Sequence, residues 1–210
     1  IKARNYASNH VLYDTIRGSS QELNSNTTSA SADQSGYGLT AFNSDGFSVR
    51  DTNGGYGVNG SYNYTAWCWK AGGPAVSNSD GSITSTVSAD PNYGFSVITY
   101  TGSGANASIG HGLNAAPSFY IVKARTSSGY TDFWSVYHQS TGSSAYLKLN
   151  DVTAATTGST IWNSTDPTSS VFSVSSGSIA NVNNVNYVAY CWSEVSGYSK
   201  FGTFTGSGSA

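Results

Sequence analysis

Tyr187-Val188-Ala189-Tyr190-Cys191-Trp192 and Tyr64-Thr65-Ala66-Trp67-Cys68-Trp69 are two versions of one hexapeptide in a single chain. Aromatic and β-branched residues dominate both, the composition of a strand that packs on a pleated surface. Period-2 alternation puts Ala66 and Cys68 on one face and Trp67 and Trp69 on the other. Upstream of each copy the likeness continues in the same order. Phe47-Ser48-Val49 matches Phe172-Ser173-Val174, Leu23-Asn24 matches Leu149-Asn150, and Ile1-Lys2-Ala3-Arg4 matches Val122-Lys123-Ala124-Arg125. The spacing drifts by only a few residues, as loop insertions between fixed strands produce.

A third fragment belongs to the same pattern. Ile98-Thr99-Tyr100-Thr101-Gly102-Ser103-Gly104 resembles Gly202-Thr203-Phe204-Thr205-Gly206-Ser207-Gly208. The expected organisation follows. Residues 1–70 form a first module lacking its opening strands, and 71–93 a Gly/Ser/Asn/Pro-rich connection with room for a short strand around Ile83 to Val87. Residues 94–201 form a second module, and 202–210 begin a further repeat or a tail. The chain reads as a piece of a longer protein. Segments of strand length separated by Gly/Ser/Asn turns predict an all-β fold of tandem jelly-roll-type β-sandwich modules related by an internal repeat. Equivalent core positions are expected at Phe47 and Phe172, Leu23 and Leu149, Ala66 and Ala189, and Cys68 and Cys191. As equivalent positions, the two cysteines are expected to stay free thiols, each in its own core.

The bulk composition agrees. Of 210 residues, 13% are aromatic and only 10% charged, against about 25% charged in a typical soluble domain. Net charge is −2, and no basic run offers a phosphate-binding footprint, so nucleic acid is not an expected partner. No apolar stretch approaches the ~18 residues of a membrane span.

His10, His111 and His138 do not recur at matching positions of the two copies, which disfavours a catalytic role shared by both modules. No Gly-x-Ser-x-Gly elbow stands between a strand and a helix, and no ligand spacing suggests zinc. No motif pairs two carboxylates for glycoside hydrolysis, although Glu22 with Asp151 stays open as a pair. Asp/Asn/Gly loops around Asp45, Asp151 and Asp166 leave calcium open as a cofactor, and turn formation accounts for them equally. The expectation is no catalytic residue and no metal ligand. Aromatic residues carry the strongest binding signal, because exposed rings stack on sugars and fill interfaces. Trp162, in the polar loop Ile161-Trp162-Asn163-Ser164-Thr165-Asp166-Pro167, is the candidate contact, together with Asn163 and Asp166.

Trp67-Cys68-Trp69-Lys70-Ala71-Gly72-Gly73, Gly94-Phe95-Ser96-Val97-Ile98-Thr99-Tyr100-Thr101-Gly102, Ile109-Gly110-His111-Gly112-Leu113 and Trp134-Ser135-Val136-Tyr137-His138 together resemble uncharacterised repeat domains of tail-fibre and other structural proteins of marine and other tailed phages. The resemblance covers nearly the whole chain. It implies a place on the virion surface, other virion proteins as partners and homo-oligomerisation, but no particular ligand. Three functions fit: a fibre or appendage module that binds a host-surface glycan or protein, a structural spacer or capsid decoration, and, less well, a glycan-depolymerising tailspike.

Overall fold

The computed structural model describes residues 1–50 and 58–208, and all regular structure in them is β. In the first half the strands are β1 (Lys2–Ala3), β2 (Val11–Asp14), β3 (Gly18–Asn24), β4 (Ala32–Asp33), β5 (Gly38–Phe42), β6 (Phe47–Arg50) and β7 (Tyr64–Thr65). Then come β8 (Val76–Asn78), β9 (Ser85–Asp90), β10 (Phe95–Thr101), β11 (Ala107–Gly110) and β12 (Phe119–Ala124). The chain continues through β13 (Ser135–His138), β14 (Ala145–Lys148), β15 (Thr156–Thr157), β16 (Val171–Val174) and β17 (Asn186–Trp192).

An eight-stranded antiparallel sheet dominates, in the order β15-β14-β13-β12-β17-β10-β9-β8. Its centre is β17, one of the two quoted hexapeptides, paired with β10 on one side and β12 on the other. A strand covered on both faces can be apolar throughout, and Tyr187 to Cys191 are all buried. One face carries Ile98, Tyr100, Tyr120, Val122, Tyr187, Ala189 and Cys191, covered by Ile109 of β11 and Phe172 and Val174 of β16. The opposite face carries Phe95, Val97, Ile121, Trp134, Val188 and Tyr190, and Leu23 of the first half closes over it.

The residues read as a connection are part of this sheet. β8 and β9 form a hairpin that extends it beyond β10. Ser85 and Val87 are buried there, and the short strand expected around Ile83 to Val87 overlaps β9, which runs on to Asp90. The turn into β10 depends on Gly94 (φ +64°), where a Cβ would fall 2.5 Å from the Ser193 carbonyl oxygen, so only glycine fits.

The first half lays down a ladder with the pairing of the second. Lys2 pairs with Thr65 and Ala3 with Tyr64, while Lys123 pairs with Val188 and Ala124 with Tyr187. Ile1 and Val11 exchange both backbone hydrogen bonds (3.0 and 2.7 Å), and Val122 pairs with Ser135. Leu12 pairs with Leu23 as Val136 does with Leu147, and Gln21 with Asp33 as Ala145 does with Thr157. A side chain repeats too: the Asn26 Oδ1 accepts from the His10 N–H at 2.8 Å, and the Asn150 Oδ1 from the Trp134 N–H at 2.9 Å.

This register corrects the expected core. The counterpart of Leu23 is Leu147, not Leu149, which is 48% exposed. A slip of two residues keeps the same face, so alternation alone could not detect it. Phe47 is only half-buried and Ala66 and Cys68 are exposed, whereas Phe172, Ala189 and Cys191 are buried. The physical reason is the neighbourhood. Ala189 and Cys191 have β10 and β12 beside them, while Ala66 to Trp69 lie outside any strand. Both cysteines are free thiols, but only Cys191 is in a core. Burial and its apolar surroundings push that thiol pKa up, the condition of an inert cysteine.

The two halves are joined by a buried polar cluster. The Arg17 Nε donates to Asp14 Oδ2 at 2.5 Å, the Tyr190 hydroxyl donates to the same oxygen at 2.7 Å, and an Arg17 Nη2 reaches the Tyr190 hydroxyl at 3.1 Å. The Lys123 ammonium donates to the carbonyls of Thr28 (2.8 Å) and Asp132 (2.7 Å). Burial lowers its pKa to about 8.

Candidate interaction face

Trp162 was expected as an exposed ring, but it is fully buried, at 0% exposure. Its indole meets Tyr120 edge-on at 4.9 Å and Tyr137 at 6.4 Å. Asn163 (φ 53°) and Ser164 (φ 47°) take left-handed conformations that turn the chain immediately after the ring. Asparagine tolerates that region best among side-chain-bearing residues, which explains Asn163 without a ligand. Asp166 accepts from the Ser143 N–H at 2.9 Å and from the Tyr137 hydroxyl at 3.4 Å. Burial, reinforced by that carboxylate, raises the tyrosine pKa to about 12. So Trp162, Asn163 and Asp166 share one loop, but they anchor it to the core and offer no stacking platform.

Of the histidines, His111 is buried. Its Nδ1 accepts the Leu113 N–H at 3.2 Å, which leaves the proton on Nε2 to donate to the Thr168 carbonyl at 3.1 Å. Both nitrogens are used in holding a turn. Glu22 accepts the Tyr13 hydroxyl at 2.5 Å, and Asp151 pairs with Lys148 at 3.5 Å, so each carboxylate has a local partner. Among the described residues no three His, Cys, Asp or Glu side chains gather into a metal site.

An aromatic cluster lies elsewhere, at the end of the sheet where β17 exits, and Trp69, Tyr93 and Tyr198 are its exposed members. Trp192 is the hub, with Phe95 at 5.0 Å, Phe119 at 5.3 Å and Trp69 at 5.9 Å. Phe201 stacks on Phe119 at 5.8 Å, and Tyr198 lies 5.6 Å from Tyr93. Trp67 is 64% and Trp69 55% exposed. Beyond Phe201 the chain belongs to no strand, and Phe204 is 94% exposed. The Trp67-Cys68-Trp69 motif is visible in the sequence, but its composition does not distinguish rings packed across strands from rings left exposed.

A cavity of about 700 Å³ opens in the first half, bordered by Ile1, Ala3, Glu22, Ala32, Val58 and Tyr64. By the shared register Ile1, Ala3 and Tyr64 stand where Val122, Ala124 and Tyr187 stand in the second half, and those three belong to its filled core.

A family model described as a domain of unknown function, DUF7483, matches residues 1–210. The chain belongs to this family. No curated protein and no solved structure matches it. The family match extends over both ladders, the cavity and the aromatic end alike.

Proposed function

We propose that this DUF7483 chain is a non-catalytic building module of a virion fibre or appendage, made of tandem copies of one β-sandwich unit of jelly-roll type. One observation carries the reading: two separate stretches form the same ladder in the same register, down to the Asn26 and Asn150 side-chain hydrogen bonds. A repeated unit with a two-layer core is the way elongated proteins gain length without new folds. The virion location rests on the likeness of the sequence motifs to tail-fibre repeat domains. Labelling purified phage particles with antibody against this chain tests it. Label on fibres or appendages is expected, and label confined to the soluble fraction of lysed cells would contradict it.

A second reading is favoured by Trp67 and Trp69, two exposed rings two residues apart. Rings presented in this way stack on sugar faces, which suits adhesion to a host-surface glycan. With only 10% of the chain charged, such attachment should change little between low and moderate salt. Replacing both rings by Ala should then abolish attachment to host cells; undiminished attachment leaves the building role alone.

A further inference from the structure

We infer that the outer face of β11 and β16 carries a binding site for one uncharged sugar ring, in a hollow of about 270 Å³ bordered by Ser82, Asn106, Ser108, Asn163, Thr165 and Ser173. The site is separate from Trp69, which lies against Phe95 and Trp192 on the other face of the large sheet. It depends neither on the building role nor on where the protein resides.

Period-2 alternation builds the floor of the hollow. Ile109, Phe172 and Val174 belong to the core, so Ser108 and Ser173, opposed to each other in the ladder, face outward. The segment 81–83 forms a wall. The Ser82 N–H donates to the Ser108 Oγ at 3.0 Å, and the Ser108 N–H donates to the Ser82 Oγ at 2.9 Å. Gly81 allows this approach, since a Cβ there would fall 2.3 Å from the Ser108 carbonyl oxygen. The loop after Trp162 supplies Asn163 and Thr165. Its buried ring and the bond from the Ser175 N–H to the Ile161 carbonyl (3.1 Å) hold that loop on β16, and the left-handed turn at Asn163 sets the position of its amide.

These contacts decide what each group still has to offer. A serine hydroxyl has one donor and two lone pairs. The Ser82 and Ser108 oxygens each accept an N–H, so each keeps its O–H to donate. The Asn106 Oδ1 accepts the Ser176 N–H at 2.7 Å, which fixes the amide and leaves its NH2 as donor. The Thr165 hydroxyl donates to the Asn163 carbonyl at 2.8 Å and keeps lone pairs to accept. Among the described residues none partners the Asn163 side-chain amide or the Ser173 hydroxyl. The hollow therefore presents donors and acceptors together, held in place before anything binds, which removes part of the ordering cost of association. None of its bordering side chains is charged, so an ion entering it would lose water without gaining a counter-charge. A ring dense in hydroxyls both gives and takes hydrogen bonds and carries no charge. The size agrees: pockets for drug-sized ligands begin at about 300 Å³, so this one suits a single ring.

Amide chemical shifts test the inference, followed while the methyl glycosides of glucose, galactose and mannose are each titrated into the isotope-labelled full chain. At least one of the three should shift the signals of Asn106, Ser108, Asn163 and Thr165 saturably. Asn163→Gly keeps the left-handed turn and removes the amide; it should weaken binding by roughly fivefold, the worth of one net hydrogen bond. Asn106→Asp keeps an acceptor for the Ser176 N–H and removes the NH2, and should weaken binding at least as much. Signals elsewhere that match the parent's show that both variants are folded. The methyl glycoside of glucuronate, which carries a charge, should bind more weakly than that of glucose. No saturable shift at these four amides with any of the three glycosides, or parental affinity in both variants, would overturn the proposal. Tighter binding of the glucuronate would overturn the uncharged class. Shifts confined to Trp67 to Gly73 would support the exposed rings as the sugar site and remove this one.

Discussion

Leu23 and Leu149 were expected to be equivalent core residues, and they part company because of a single hydrogen-bonded pair. The Leu149 N–H donates to the Trp134 carbonyl and the Ser25 N–H to the His10 carbonyl, so Leu149 matches Ser25. Leu23→Ala should therefore cost roughly 2–5 kcal/mol, and Leu149→Ala no more than about 0.5 kcal/mol, as for a surface change. Urea denaturation of the two variants checks this. Trp162→Ala should also be costly, roughly 3–5 kcal/mol, because its ring fills the space between Tyr120 and Tyr137. A variant with the parent's unfolding midpoint would return Trp162 to the surface. His111 sets a pH dependence. Burial lowers its pKa in the folded chain, while the unfolded chain binds the proton near pH 6.5. As pH falls through that value the unfolded state takes up the proton first, so the stabilisation is complete above it and declines below. The urea midpoint should drop between about pH 7.5 and about pH 5.5, and less in His111→Gln.

At the scale of elements, the strands were legible where aromatic and β-branched residues run together, as in β12 and β17, or alternate with polar ones, as in β14. β8 was not, and β9 only in part, as the short strand expected around Ile83 to Val87, because Ser85 and Ser88 are buried through hydrogen bonds to the Gly110, Ala71 and Gly73 carbonyls. A serine that is satisfied inside looks like a linker serine in sequence. The candidate site was misread for a related reason. A tryptophan in a polar loop carries no sign of which way the loop folds, and the left-handed turn at Asn163 and Ser164 sends this one inward. The docking of the first half on the sheet was also not visible, since it depends on residues far apart in the chain. Arg17, Asp14 and Tyr190 make that contact, and Arg17→Ala should leave Asp14 buried without its partner at a cost of roughly 3–5 kcal/mol. A loss below about 1 kcal/mol on thermal or urea unfolding, the range of a surface ion pair, would show that the cluster does not hold the halves together.

For the whole molecule, the account rests on one pattern of strand pairing seen in both halves of the chain. The measurement that tests this most directly is the cross-strand pairing itself, read in solution from nuclear Overhauser contacts between backbone protons of opposed residues. The account predicts contacts between Val11 and Asn24 and between Ser135 and Lys148, with Lys2 against Thr65 and Lys123 against Val188. Contacts that place Leu149 opposite Val136, or that pair the first half in any other register, would contradict the claim that the two halves are copies of one unit.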